Sequence, residues 1–267
     1  MAYSLRLGDC LSVLEKVADA SVDLIVTSPP YADMKFYLGD PCVHPDLYVE
    51  WFLPIARELD RVLKPTGSFI LNINDKVVDG SRHPYVFELV CAILKQTRFK
   101  LFERLFWNKV KGVPNARRFG DRVEFLFWFT KGKDFTFDIN AMRTPYSELS
   151  LQRMKTPIRA RHNREEENGK TKQWVAHPDG ALPTTLVTVC AQAVRIHDEH
   201  VAVFPENLVD GFVRAASKEG DLVLDPFCGT GTTGVVALRH KRRFIGIDKQ
   251  ERYLSAARER LRKTEAS

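Results

Sequence analysis

The stretch LVLDPFCGTGTTGVVALRHKRRFIGID, Leu222 to Asp248, decides how this chain folds. Leu222 to Asp225 is a short apolar run, Gly229, Gly231 and Gly234 match G-x-G-x-x-G, helical spacing follows to Arg239, and a second apolar run ends on Asp248. Strand, tight turn, helix and strand in that order are the unit of a parallel sheet. Glycines at the turn let backbone approach a ligand, and a carboxylate ending the next strand accepts both hydroxyls of a ribose. A nucleoside-containing cofactor is expected, against the alternative of a purely structural joint. No Lys follows the glycines, so a Walker phosphate loop fits poorly and a dinucleotide or an adenosyl compound remains. Asp225 and Phe227 favour the adenosyl compound: the carboxylate receives an ammonium, the ring covers a sulfonium, and a pyrophosphate would be repelled. S-adenosylmethionine carries both groups.

The same alternation extends outward. Val22 to Thr27, Gly67 to Asn72, Leu101 to Trp107 and Val123 to Phe129 read as further strands. Cys10 to Ala18, Tyr48 to Leu63, Tyr85 to Gln96, Asn207 to Ser217 and Glu251 to Arg262 read as helices, the second closed by Lys64-Pro65-Thr66-Gly67. The expectation is α/β: a doubly wound, mostly parallel sheet with helices on both faces. The pattern fails from about 134 to 199, where RARHNREEENGKTKQ (Arg159 to Gln173) reads as an exposed loop. Such a stretch inside a compact fold is expected to bind something.

Composition narrows the function. At 267 residues, 44% hydrophobic and 28% charged, the chain is neither disordered nor collagen-like. Its apolar runs are too short to span a bilayer and its start lacks a signal peptide, so no membrane partner and a cytoplasmic location are expected. Five scattered cysteines without C-x-x-C suggest no disulfide framework. His197-x-x-His200 lacks further ligands at a recognisable spacing, so no metal is expected. Residues 95 to 175 hold 19 Lys+Arg against 9 Asp+Glu, which favours a polyanion, with Arg117, Arg118 and Arg122 as candidate phosphate contacts.

VDLIVT is followed by Ser28-Pro29-Pro30-Tyr31, at the carboxyl end of a buried strand, the edge where open α/β sheets bind ligands. The Pro-Pro pair fixes carbonyl directions with no nearby N–H to occupy them, Ser28 adds a hydroxyl, and Tyr31 offers a ring for stacking. Ser-Pro-Pro-Tyr followed much later by Phe-x-Gly-x-Gly resembles the beta class of amino-methylating DNA methyltransferases, across most of the chain outside 134–199.

That resemblance implies a seven-stranded sheet of the S-adenosylmethionine-dependent methyltransferase type. Residues 1–133 form its catalytic part, 134–199 a target recognition region and 200–267 its cofactor-binding part. Ser28, Pro29, Pro30 and Tyr31 surround a flipped base; Asp225, Phe227, Gly229 and Gly231 line the methionine part of the cofactor. Asp248 holds the ribose, Asp9 lies near the adenine, and Phe204 and Pro205 approach the cofactor. The implied substrate is double-stranded DNA, for a monomer or homodimer that a cognate restriction endonuclease can accompany. Ser at the head of the tetrapeptide goes mainly with cytosine N4 in this family and Asp with adenine N6, so cytosine is expected and adenine is the alternative. Methylation of RNA or protein amides, NAD-dependent oxidoreduction and a catalytically dead DNA-binding module stand behind these two. A C5-methylating thiol at Pro41-Cys42 is the rival chemistry, disfavoured because that family's surrounding residues are missing.

Overall fold

A computed structural model describes residues 2–32, 43–110, 117–155, 158–159, 171–172, 175–196 and 199–266, with backbone alone at 158–159, 171–172, 192–196 and 199–203. Cys42, His197 and most of the loop expected at Arg159 to Gln173 lie outside the described residues. Eight strands form the main sheet: β1 (Tyr3–Leu7), β2 (Val22–Thr27), β3 (Leu63–Ile73), β4 (Lys100–Asn108), β5 (Val123–Thr130), β6 (Leu186–Thr188), β7 (Leu222–Asp225) and β8 (Arg243–Asp248). Their spatial order is β1-β8-β7-β2-β3-β5-β4-β6. The pairs from β1 through to β3 are parallel, β5 runs antiparallel to both β3 and β4, and β6 is parallel to β4.

Period-two alternation sends neighbouring side chains to opposite layers. Ile25 of β2, with Phe69 and Leu71 of β3, packs under helices Cys10–Leu14, Tyr48–Val62 and Tyr85–Gln96. Leu24, Val26 and Ile70 face helices Glu206–Ala216, Thr232–Arg239 and Glu251–Glu265. The helix after β2 leads to β3 on one side, and the helix after β7 leads to β8 on the other. Chain direction therefore diverges between β2 and β7, whose carboxyl ends flank the crevice where ligands bind in doubly wound sheets.

The doubly wound sheet stands as expected, with these departures. The first helix stops at Leu14, short of Ala18, and Arg61 donates to the carbonyls of Leu14 and Val17 at 2.8 Å each. Lys64 to Gly67 is absorbed into β3 as a register shift between the pairs Val22↔Leu63 and Leu24↔Ser68, with Lys64 paired to Asp23 at 2.6 Å. β1 was not expected, and β6 adds an eighth strand from within the stretch assigned to recognition. That stretch is tied to the body at both ends. Phe135 and Phe137 pack edge-on to Phe102, Thr136 N–H donates to Thr66 O at 3.0 Å, and Trp107 Nε1 donates to Val189 O at 2.7 Å.

Candidate active site

The two motifs singled out in the sequence are joined by one buried hydrogen bond. Thr27, the last residue of β2, donates from Oγ1 to Asp225 Oδ1 at 2.7 Å, across 198 positions of chain. Pairing of Val223 with Leu24 and Leu224 with Ile25 sets that register. Asp225 is 4% exposed and also accepts from Thr233 Oγ1 at 2.8 Å and Phe227 N–H at 3.1 Å. Burial raises its carboxyl pKa to about 6, with the Asp248 charge adding to the rise. No cation pairs with Asp225 among the described residues, so the site holds uncompensated negative charge.

Between Asp225 and the next helix the backbone turns through two left-handed glycines, Gly229 at φ +50° and Gly231 at φ +78°. A Cβ at Gly229 would meet nothing within 4 Å, whereas one at Gly231 would lie 2.9 Å from Ala257 Cβ. Gly229 therefore leaves open space above the turn, and Gly231 permits close helix packing. Arg260 fastens the turn, donating to Thr230 O at 2.8 Å and pairing with Glu206 at 2.6 Å. Asp248 receives Gly229 N–H and Gln250 N–H, each at 2.9 Å, and burial raises its pKa as well. Asp9 sits at the same sheet edge, because Leu7 pairs with Asp248, but its Oδ1 caps the first helix through Leu11 N–H and Ser12 N–H at 3.0 and 3.3 Å.

Beside this turn lies a polar cluster centred on Ser28. Asn72 Nδ2, with two N–H bonds to give, lies within hydrogen-bond distance of Ser28 Oγ at 3.2 Å, Tyr31 Oη at 2.5 Å and Glu124 Oε2 at 2.9 Å. Tyr31 Oη donates to Glu124 Oε2 at 2.6 Å and lies 3.2 Å from Ser28 Oγ, while Lys109 pairs with Glu124 Oε1 at 3.0 Å. Burial and the Glu124 charge raise the Tyr31 pKa well above the usual phenol range, so its hydroxyl stays a donor. Tyr31 packs against the apolar layer, and among the described residues its ring has no aromatic neighbour. Pro30 O accepts from Tyr48 Oη at 2.8 Å. Pro29 is buried, and among the described residues no donor reaches its carbonyl.

Helix Tyr48–Val62 touches both motifs: Tyr48 holds Pro30, and Trp51 lies 5.9 Å from the Phe227 ring. The Phe204 ring lies 6.3 Å from that of Trp107, and Pro205 stands at the N-cap of helix Glu206–Ala216, whose Glu206 reaches the turn through Arg260. Sequence reading missed Asn72, Glu124, Lys109, Trp51 and Arg260. Asn72 within FILNI and Glu124 within VEFLFWFT are polar residues inside apolar strands, the signal that points to them.

A family model described as DNA methylase matches residues 22–259. The Type II methyltransferase M.PvuII of Proteus hauseri is 29% identical, over 95% of this chain and 82% of its own length. The orphan methyltransferase M.BamHII of Bacillus amyloliquefaciens is 31% identical, over 93% of this chain and 91% of its own. Among solved structures, the cytosine-N4-specific PvuII DNA methyltransferase superposes with a TM-score of 0.74 at 26% identity, covering 97% of this chain and 86% of that one. A Thermus thermophilus protein in complex with S-adenosyl-L-methionine gives a TM-score of 0.65 at 25% identity, covering 99% and 96%.

Proposed function

Because the chain belongs to the DNA methylase family, we propose that it methylates the N4 amino group of cytosine in double-stranded DNA, on a base flipped against Ser28 and Pro29. It is a DNA methyltransferase, and its methyl donor is S-adenosylmethionine. The observation that supports methyl transfer at this site is the Thr27–Asp225 hydrogen bond, which sets Ser28 beside the cofactor turn. Ser at the head of the tetrapeptide, and similarity to a cytosine-N4-specific enzyme, support cytosine over adenine.

The residues present suit the cofactor. Asp225 is a buried carboxylate without a cation, the electrostatic complement of an ammonium. Phe227 with Trp51 offers an aromatic wall for a sulfonium, and Asp248 keeps acceptor capacity for ribose hydroxyls. The open space above Gly229 admits a ligand at the turn. When bound, S-adenosylmethionine supplies an electrophilic methyl group on sulfur.

The chain's own residues then address a specific difficulty. An exocyclic amino nitrogen is a poor nucleophile, because its lone pair is delocalised into the ring. Ser28 Oγ and the Pro29 carbonyl each accept one amino hydrogen, which favours a tetrahedral nitrogen with its lone pair directed away from both. Tyr31 donates to Glu124, so Ser28 can donate to Tyr31 and keep an acceptor lone pair for the base. After transfer the nitrogen is cationic and strongly acidic, so it sheds its proton without a dedicated base. In a duplex the nitrogen is paired, and the base must leave the stack at a cost of a few kcal/mol, with Tyr31 as its stacking surface. The stretch 134–199 is assigned to reading the target sequence.

Two measurements bear on these roles. Duplex DNA with 2-aminopurine at the target brightens on binding, and an unchanged signal at a verified site would refute flipping. Glu124→Gln keeps shape but removes the charge anchoring Tyr31 and Asn72, so single-turnover transfer slows about 10-fold or more. Cofactor affinity stays unchanged. An unaltered rate would show that the anchor does not act on Ser28.

A further inference from the structure

Phe119 is 99% exposed, the most of any large apolar side chain described. Its neighbours hold their places. On one side Arg118 donates to Gly80 O. On the other, Asp121 accepts from Arg82 at 3.3 Å, and Lys109 N–H donates to Arg122 O at 2.8 Å. The ring is thus presented to solvent by a segment fastened on both sides of it, although a benzyl group gains by burial. Its connection joins β4 to β5 at the sheet edge that carries Ser28. Glu124, which holds Tyr31, is five residues further on, so Phe119 lies within about 17 Å of the cluster along the chain. Arg117, Arg118 and Arg122, all exposed, flank Phe119 in the chain. An apolar ring flanked by guanidinium groups complements a nucleic acid, phosphate outside and bases within.

We propose that Phe119 enters the DNA stack in the place left by the extruded base. The proposal rests on the flipping reading above and adds the residue that keeps the vacated duplex from closing. An aromatic filling the gap stabilises the extruded state most where the target would otherwise pair and stack.

The test compares wild type, Phe119→Ala and Phe119→Trp on two duplexes, one with the target base paired and one with it mispaired. On the paired duplex, Phe119→Ala slows transfer about 5- to 150-fold, the effect of losing one stacking contact, and dims 2-aminopurine to match. On the mispaired duplex the defect shrinks toward none, since the base leaves the stack unaided. Phe119→Trp recovers most of the paired rate, and S-adenosylhomocysteine binds all three proteins equally. Equal rates for wild type and Phe119→Ala, or the same defect on both duplexes, would overturn the proposal. So would loss of a homodimer in Phe119→Ala with transfer intact, which assigns the ring to a contact between copies. If wild type methylates no DNA, it is the functional reading that fails; if it does and Phe119→Ala matches it, the role of Phe119 alone falls.

Discussion

Ser28→Ala lowers the turnover of methyl transfer by about 10²- to 10³-fold, the scale of removing one group preorganised toward a transition state. Cofactor affinity stays where it is, because the side chain that links the tetrapeptide to the cofactor turn is Thr27, not Ser28. The Pro29 carbonyl remains, so residual transfer persists. Asn72 and Tyr31 hold Ser28 Oγ from behind, and both keep Glu124 as a partner in the variant. Rapid-quench transfer beside calorimetric titration of S-adenosylhomocysteine separates the two quantities. Full turnover in Ser28→Ala would remove the hydroxyl from the mechanism. A parallel loss of cofactor affinity would relocate its role to the turn.

Asp225→Asn acts on the other half of the site and has an unusual sign. The Asp225 carboxyl stands at about 6 in the folded protein against an ordinary 3.8, because burial penalises its charge. A raised carboxyl pKa contributes stability below the unfolded value that is lost as pH rises through the folded one. At pH 8 the native state therefore carries a penalty on the order of 3 kcal/mol that the amide does not. Asp225→Asn is expected to melt no lower than wild type at pH 8, with any advantage fading below about pH 4. Cofactor binding moves oppositely. Loss of the charge facing the ammonium weakens S-adenosylhomocysteine about 10- to 150-fold. Wild-type affinity declines as pH falls through about 6, where the free carboxyl takes up its proton, while the variant stays flat. A pH-independent wild type with an equally tight variant would leave Asp225 only its structural bonds to Thr27 and Thr233.

What could be read from sequence was what depends on neighbouring residues. DPFCGTG declares a turn because its glycines take left-handed angles that other residues resist, and the strand and helix around it are set by local spacing. Ser28 to Tyr31 was legible for the same reason, through the stiffness of two prolines. Asn72 and Glu124 meet only through the antiparallel register of β3 on β5, where Asn72 pairs with Leu126 two residues beyond Glu124. No periodicity within either strand reveals that register. Trp51 falls at core spacing on its helix, so its approach to Phe227 was hidden in an ordinary amphipathic pattern. β1 and β6 escaped because YSLRL and LVT are short edge strands whose pairing lies elsewhere in the chain. The carbonyl that ends the first helix is met by Arg61, a side chain 47 positions away, a contact that local spacing does not reveal.

The most direct test of the central claim is nucleoside mass spectrometry on duplex DNA incubated with the protein and methyl-labelled S-adenosylmethionine, resolved against authentic standards. Labelled N4-methyldeoxycytidine, strongly reduced in the Ser28→Ala control, is the predicted result. Label on N6-methyladenine, on C5 of cytosine or on no base would contradict it.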